Sequence, residues 1–197
     1  RGLGDVYKRQ VMVVADGMIC QMMEPVVLPE ETVLEKSAPD WAVTGTECKR
    51  PHNIINSLYL TPNALEDLVR ARYERYKIIE EKEQRAEEYR TEDADVIVVA
   101  YGASSRVARS AVNKAREAGK KVGLIRPITL WPFPKDAIKR AADHAKELLV
   151  VEMSMGQMVD DVRLAAECRV PVHFYGRTGG VIPTPKEILG EIDKLLK

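Results

Sequence analysis

The chain has 197 residues, 45% of them hydrophobic, with 30 basic and 30 acidic side chains. That length allows one large domain, or a small domain with an appendage, and enough apolar matter for a real core; the balanced charge supplies no global field to recruit nucleic acid or an anionic membrane. Cys20, Cys48 and Cys168 are widely spaced and form neither a disulfide framework nor a CxxC pair for zinc or an iron–sulfur cluster, no apolar run reaches the roughly 20 residues of a membrane helix, and a reducing cytoplasm is the expected setting.

The first ten residues stand apart. Asp5-Val6-Tyr7-Lys8-Arg9-Gln10 resembles the translated end of a transposon-based sequencing adaptor, so residues 1–10 are expected to be foreign and native sequence to begin at Val11, in mid-protein. Residues 11–15 are continuously apolar and predict a buried strand closed by the turn signal Asp16-Gly17. The segment over 30–61 carries Pro39 and Gly45 and no sustained period, which predicts a linker or extended arm. Thr61-Pro62 is a helix start, a hydroxyl N-cap with proline behind it. Leu65, Leu68, Val69, Arg72, Tyr76 and Ile79 follow at helical spacing in a densely charged stretch, so 62–93 reads as a charged amphipathic segment, helical to about Tyr89.

From Ala94 strands and helices alternate. Strands are predicted at 96–100, 121–126, 148–152 and 172–175, and helices at 106–117, 135–144, from 158 through Cys168, and 186–196. This pattern predicts βαβ units: an α/β domain over 94–197 with a mainly parallel sheet covered by helices on both faces. In such sheets ligands bind beyond the carboxyl ends of the strands, so the strand-end loops are the places to look.

Four loops qualify. YGASSR offers Ser104, Ser105, Arg106 and a helix N-terminus as a candidate anion cradle; the alternative is a glycine-started turn with a serine capping the helix. RPITLWPFP holds Trp131 and Phe133, which either pack on the domain or anchor a partner. VEMSMGQMVDD puts Glu152 at a strand end, with no second carboxylate or histidine close by, and its methionines serve as adaptable apolar contacts. YGRTGGVIPTP gives close backbone approach at its glycines and a guanidinium, Arg177, suited to phosphate or carboxylate; a shaped loop is the alternative. His52, His144 and His173 show no ligand spacing, and no nucleophile, base and orienter come together.

Four strings, ADGMICQMMEPVVLPE, GLIRPITLWPFP, VVEMSMGQMVDDVRLA and GRTGGVIPTPKEI, resemble the alpha subunit of 2-oxoacid:ferredoxin oxidoreductases, nearest to the branched-chain (2-oxoisovalerate) branch. The resemblance implies an oxidative decarboxylation of a 2-oxoacid to acyl-CoA with reduction of ferredoxin. It implies a complex with thiamine diphosphate, Mg²⁺ and [4Fe-4S] clusters, and beta, gamma and ferredoxin-like subunits as partners. Residues 11–29 would close a thiamine pyrimidine-binding domain, and 94–197 would be a domain like the carboxyl-terminal one of transketolase. The family's activating glutamate would lie before Val11, so no catalytic residue and no metal ligand is carried over; Met18, Gln21, Met22, Met23, Trp131 and Glu152 become candidate pocket or interface residues. The rival expectation is a free-standing α/β module that binds an anion or another subunit without catalysis.

Overall fold

A computed structural model describes residues 12–15, 17–23, 25–28, 42–43, 45–54 and 58–197. The chain divides into two units, Arg1–Leu68 and Val69–Lys197. In the first, α1 is a single helical turn at Gly17–Gln21, where the sequence predicted only a turn. The strand predicted over 11–15 does not form: Met12–Ala15 is unpaired, with Val13 92% exposed, and Val11 lies outside the described residues. An apolar run becomes a strand only when a neighbour takes its backbone hydrogen bonds. Residues 1–10 and all of 30–41 also fall outside the described residues.

Helix α2, Pro62–Lys82, stops seven residues short of the predicted Tyr89. The chain turns at 83–85 and enters β1, Ala86–Tyr89, which pairs antiparallel with β3. The sheet therefore begins before the expected boundary at 94. After β1 come β2 (Val96–Val99), α3 (Gly102–Glu117), β3 (Val122–Pro127), α4 (Lys135–Ala142), β4 (Glu147–Glu152), α5 (Met158–Ala166), β5 (Val172–Gly176) and α6 (Pro185–Leu195). The strand order is β1-β3-β2-β4-β5, and β2, β3, β4 and β5 are mutually parallel. This is the helix-covered, mainly parallel α/β sheet that the sequence predicts.

Alternation of side chains along each strand builds two core layers. Ile97, Val99, Ile125 and Val150 face α4 and α5, where Ile138 and Val162 meet them. Val98, Leu124, Leu149 and Val151 face α3 and α6, with Val112, Ile188 and Ile192 opposite. These side chains are at most 2% exposed, and each contributes roughly 1.5–3 kcal/mol by leaving water. The chain leaves β2 through α3 on one face and leaves β3 through α4 on the other, passing over β2 to reach β4. The topological switch point thus lies between the carboxyl ends of β2 and β4, the crevice where α/β sheets take ligands.

Strand β1 is attached by charge. Glu87 accepts from Arg109 of α3 and, at 2.8 Å, from Arg126 Nε of β3. Hydrogen bonds from Arg109 and then Arg126 hold the Glu87 carboxyl below the usual carboxylate range. A depressed folded pKa means that the contribution is present at neutral pH and is lost as pH falls through the folded value. Glu87→Gln is therefore expected to lower the urea midpoint at pH 7, with the gap to the parent protein closing below about pH 4. A gap that does not change with pH would sink this account. Beside β1, Gly123 of β3 admits the 90–91 backbone: a Cβ there would stand 2.7 Å from the Arg90 oxygen.

Candidate functional site at the sheet switch point

The carboxyl ends of β2, β3, β4 and β5 share one edge because the strands are parallel. Each delivers one of the four loops. Glu152, the last residue of β4, is 1% exposed. Its carboxylate accepts from the backbone N–H groups of Gln157 (3.1 Å), Met158 (3.1 Å) and Val159 (3.0 Å), and from the Ser154 hydroxyl (3.0 Å). Those N–H groups open α5, whose N-cap side chain makes no capping bond, so Glu152 supplies the anion that the helix end attracts. The Ser154 hydroxyl in turn accepts from Gly156 N–H at 3.0 Å, and Gly156 has φ +106, a region that L side chains rarely adopt. Glu152 fixes the loop; its lone pairs are already used.

Tyr101 sits across the switch point as N-cap of α3 and makes no side-chain cap bond. Burial pushes its hydroxyl pKa up, and the negative charge of Glu152 adds to the rise. The helix starts at Gly102, not at Arg106 as predicted, and this changes the reading of YGASSR. Ser104 and Ser105 lie in the first turn, 4% and 3% exposed, and neither caps the helix. Ser105 donates its hydroxyl to the Gly102 carbonyl at 2.7 Å, so that group serves its own helix. Arg106 is half-buried.

Arg177 follows β5; its N–H bonds the Glu152 carbonyl at 3.1 Å and its guanidinium stands 3.5 Å from Glu187. Glu187 and Thr184 form a capping box that closes the N-terminus of α6. Bonds from the Thr184 backbone and hydroxyl hold the Glu187 carboxyl below its ordinary range. Burial, with Glu187 beside it, raises Tyr175.

The β3–α4 loop makes a second feature. Trp131 is 57% exposed and meets Tyr76 of α2 edge-on, with ring centroids 5.5 Å apart. It opens a cleft of about 450 Å³ shared by Phe133, Gln84, Lys139, Asp161 and Leu164. In the other unit Met18 is half-buried and Gln21, Met22 and Met23 are exposed. Among the described residues no group of His, Cys, Asp and Glu side chains could hold a metal ion. Cys168 is the single cysteine of Val69–Lys197, whereas a cluster takes four thiolates, so that unit does not fit an iron–sulfur cluster. Sequence reasoning missed the capping role of Glu152, because its partners are backbone groups that carry no residue signature.

Residues 94–188 match the family model Pyruvate:ferredoxin oxidoreductase core domain II. The chain is 44% identical, over 96% of its length, to ketoisovalerate oxidoreductase subunit VorB of Methanothermobacter thermautotrophicus. It belongs to the 2-oxoacid:ferredoxin oxidoreductase family. A second VorB, from Methanothermobacter marburgensis, is 42% identical over 98% of the chain. The chain spans about half the length of these family members, 53% and 54%. The solved 2-oxoglutarate:ferredoxin oxidoreductase of Magnetococcus marinus shares the fold over 82% of this chain and 28% of its own, with a TM-score of 0.64 and 22% identity. No helix among the described residues is long and apolar enough to cross a membrane.

Proposed function

We propose that this chain works as part of the alpha-type subunit of a thiamine-diphosphate-dependent 2-oxoacid:ferredoxin oxidoreductase of the cytoplasm, with 2-oxoisovalerate as substrate. The observation that carries this reading is the 44% identity across 96% of the chain to a ketoisovalerate oxidoreductase subunit. The reaction decarboxylates the 2-oxoacid, forms an acyl-CoA and reduces ferredoxin. Thiamine diphosphate, Mg²⁺ and [4Fe-4S] clusters belong to the complex, outside the described residues of this chain, and beta, gamma and ferredoxin-like subunits are its partners. Within that complex the sheet domain is a shaped wall: Glu152 holds the β4–α5 loop, and Trp131 offers an aromatic contact. Met18, Gln21, Met22 and Met23 line a second contact surface. By itself the chain is expected not to turn over.

The test is reduction of ferredoxin by the complete purified complex, with CoA and one 2-oxoacid at a time. Specificity kcat/KM for 2-oxoisovalerate is expected to exceed that for pyruvate by about tenfold or more, the discrimination that extra buried methyl groups supply, and that for 2-oxoglutarate by at least as much, because its second carboxylate would lose water in an apolar pocket. A preference for either competitor would overturn the substrate assignment; no CoA-dependent reduction with any 2-oxoacid would overturn the whole reading.

A further inference from the structure

Four helices start at the edge that carries the switch point, and two of their N-termini hold an anion of the protein's own. Glu152 fills the start of α5 and Glu187 that of α6. Helix α3 differs: its N-cap makes no side-chain bond, and the N–H groups of Gly102, Ala103 and Ser104 have no acceptor within the helix. Two side chains at this edge of the sheet keep unused donors. Ser104 is 96% buried (4% exposed); among the described residues its hydroxyl oxygen makes no hydrogen bond and keeps some open surface, while neighbouring Ser105 is satisfied by the Gly102 carbonyl. It sits on the sheet-facing stripe of α3 with Ala108, Ala111 and Ala115, and its Cα–Cβ bond leans toward the open helix end. Arg177 has a buried Nε, the one buried side-chain nitrogen or oxygen among the described residues without a partner.

The two groups share one rim. Helices α3 and α6 pack side by side on the same face of the sheet. Each follows a strand of the parallel set, so their first turns lie at the same edge, and Arg177 leads into α6 with its guanidinium beside Glu187. Gly102 has φ +54, and among the described residues nothing lies within 4 Å of where its Cβ would be.

We propose that the first turn of α3 and Arg177 form a binding site for a phosphate group, through the N–H groups of Gly102, Ala103 and Ser104, the Ser104 hydroxyl and the Arg177 Nε–H. Donors of three kinds at one rim, helix N–H groups, a hydroxyl and a guanidinium, suit the three terminal oxygens of a phosphate ester better than the two coplanar oxygens of a carboxylate. The site does not depend on the redox reading above, and its test does not use activity.

Amide resonances of the full chain are followed while methyl phosphate is added at low ionic strength. Saturable shifts centred on Gly102, Ala103 and Ser104 are expected. Ser104→Ala, which removes one hydroxyl without adding bulk, is expected to weaken binding about 3–10-fold. Arg177→Gln should weaken it about tenfold, and Arg177→Lys should restore part of the loss because the charge returns without the fork. Shifts that never saturate, or affinities unchanged by both Ser104→Ala and Arg177→Gln, would overturn the site. Isobutyrate binding more tightly than methyl phosphate would overturn its assignment to phosphate.

Discussion

Glu152→Gln is expected to destabilise the Val69–Lys197 unit by about 3 kcal/mol, within the range seen when a buried, hydrogen-bonded charge loses its match. The substitution keeps the shape and removes the acceptor: an amide NH2 would face the Gln157, Met158 and Val159 N–H groups that the carboxylate now receives. Flipping the amide leaves one oxygen to serve a helix end that used two, and the favourable charge at the α5 N-terminus is lost as well. For a unit of this size the melting temperature should fall by roughly 10 °C. Thermal and urea unfolding followed by circular dichroism would measure it. A loss under about 1 kcal/mol would mean that the carboxylate is dispensable and that the loop is held by other contacts.

The second large effect is expected at Gly176. A Cβ built there would stand 2.4 Å from the Ser154 carbonyl oxygen and 2.5 Å from the Phe174 ring. The ring can swing; the carbonyl belongs to the loop that Glu152 anchors. Gly176→Ala therefore forces either β5 away from β4 or the 153–157 loop out of place, at a cost of about 2–3 kcal/mol, typical of overpacking at a tight contact. Because the loop carries the Glu152 bonds, the double substitution with Glu152→Gln should cost less than the sum of the two. Hydrogen exchange at the Met158 and Val159 amides gives a local readout. Unchanged protection there, together with an unfolding midpoint equal to that of the parent protein, would show that the loop yields without loss.

How much of this could be read from residues alone varies element by element. β2, β3 and β4 are runs such as Val96-Ile97-Val98-Val99, buried on both faces, and no other arrangement satisfies so much contiguous apolar surface. β1 was illegible for the opposite reason: Ala86-Glu87-Glu88-Tyr89 continues the charge pattern of the preceding helix, and its strand state comes from β3 and from arginines distant in sequence. The run at 11–15 misled because apolar residues state a need for burial without supplying the partner. At the switch point the sequence drew attention to YGASSR and to Glu152. It could not show which serine of the pair is satisfied by its own helix, because that depends on where the helix begins, and it begins at Gly102, four residues before Arg106.

Strand β1 also bears on how the molecule avoids its own kind. An outer strand exposes a row of unpaired backbone groups that a second chain can extend into an aggregate. This one is four residues long and runs against its neighbour, and its two faces carry charge, Glu87 tied to Arg109 and Arg126 and Glu88 tied to Arg140. An incoming strand would have to strip water from those carboxylates and break their ties before gaining its first hydrogen bond. The residues that made this segment look least like part of a sheet are the ones that stop the sheet from growing.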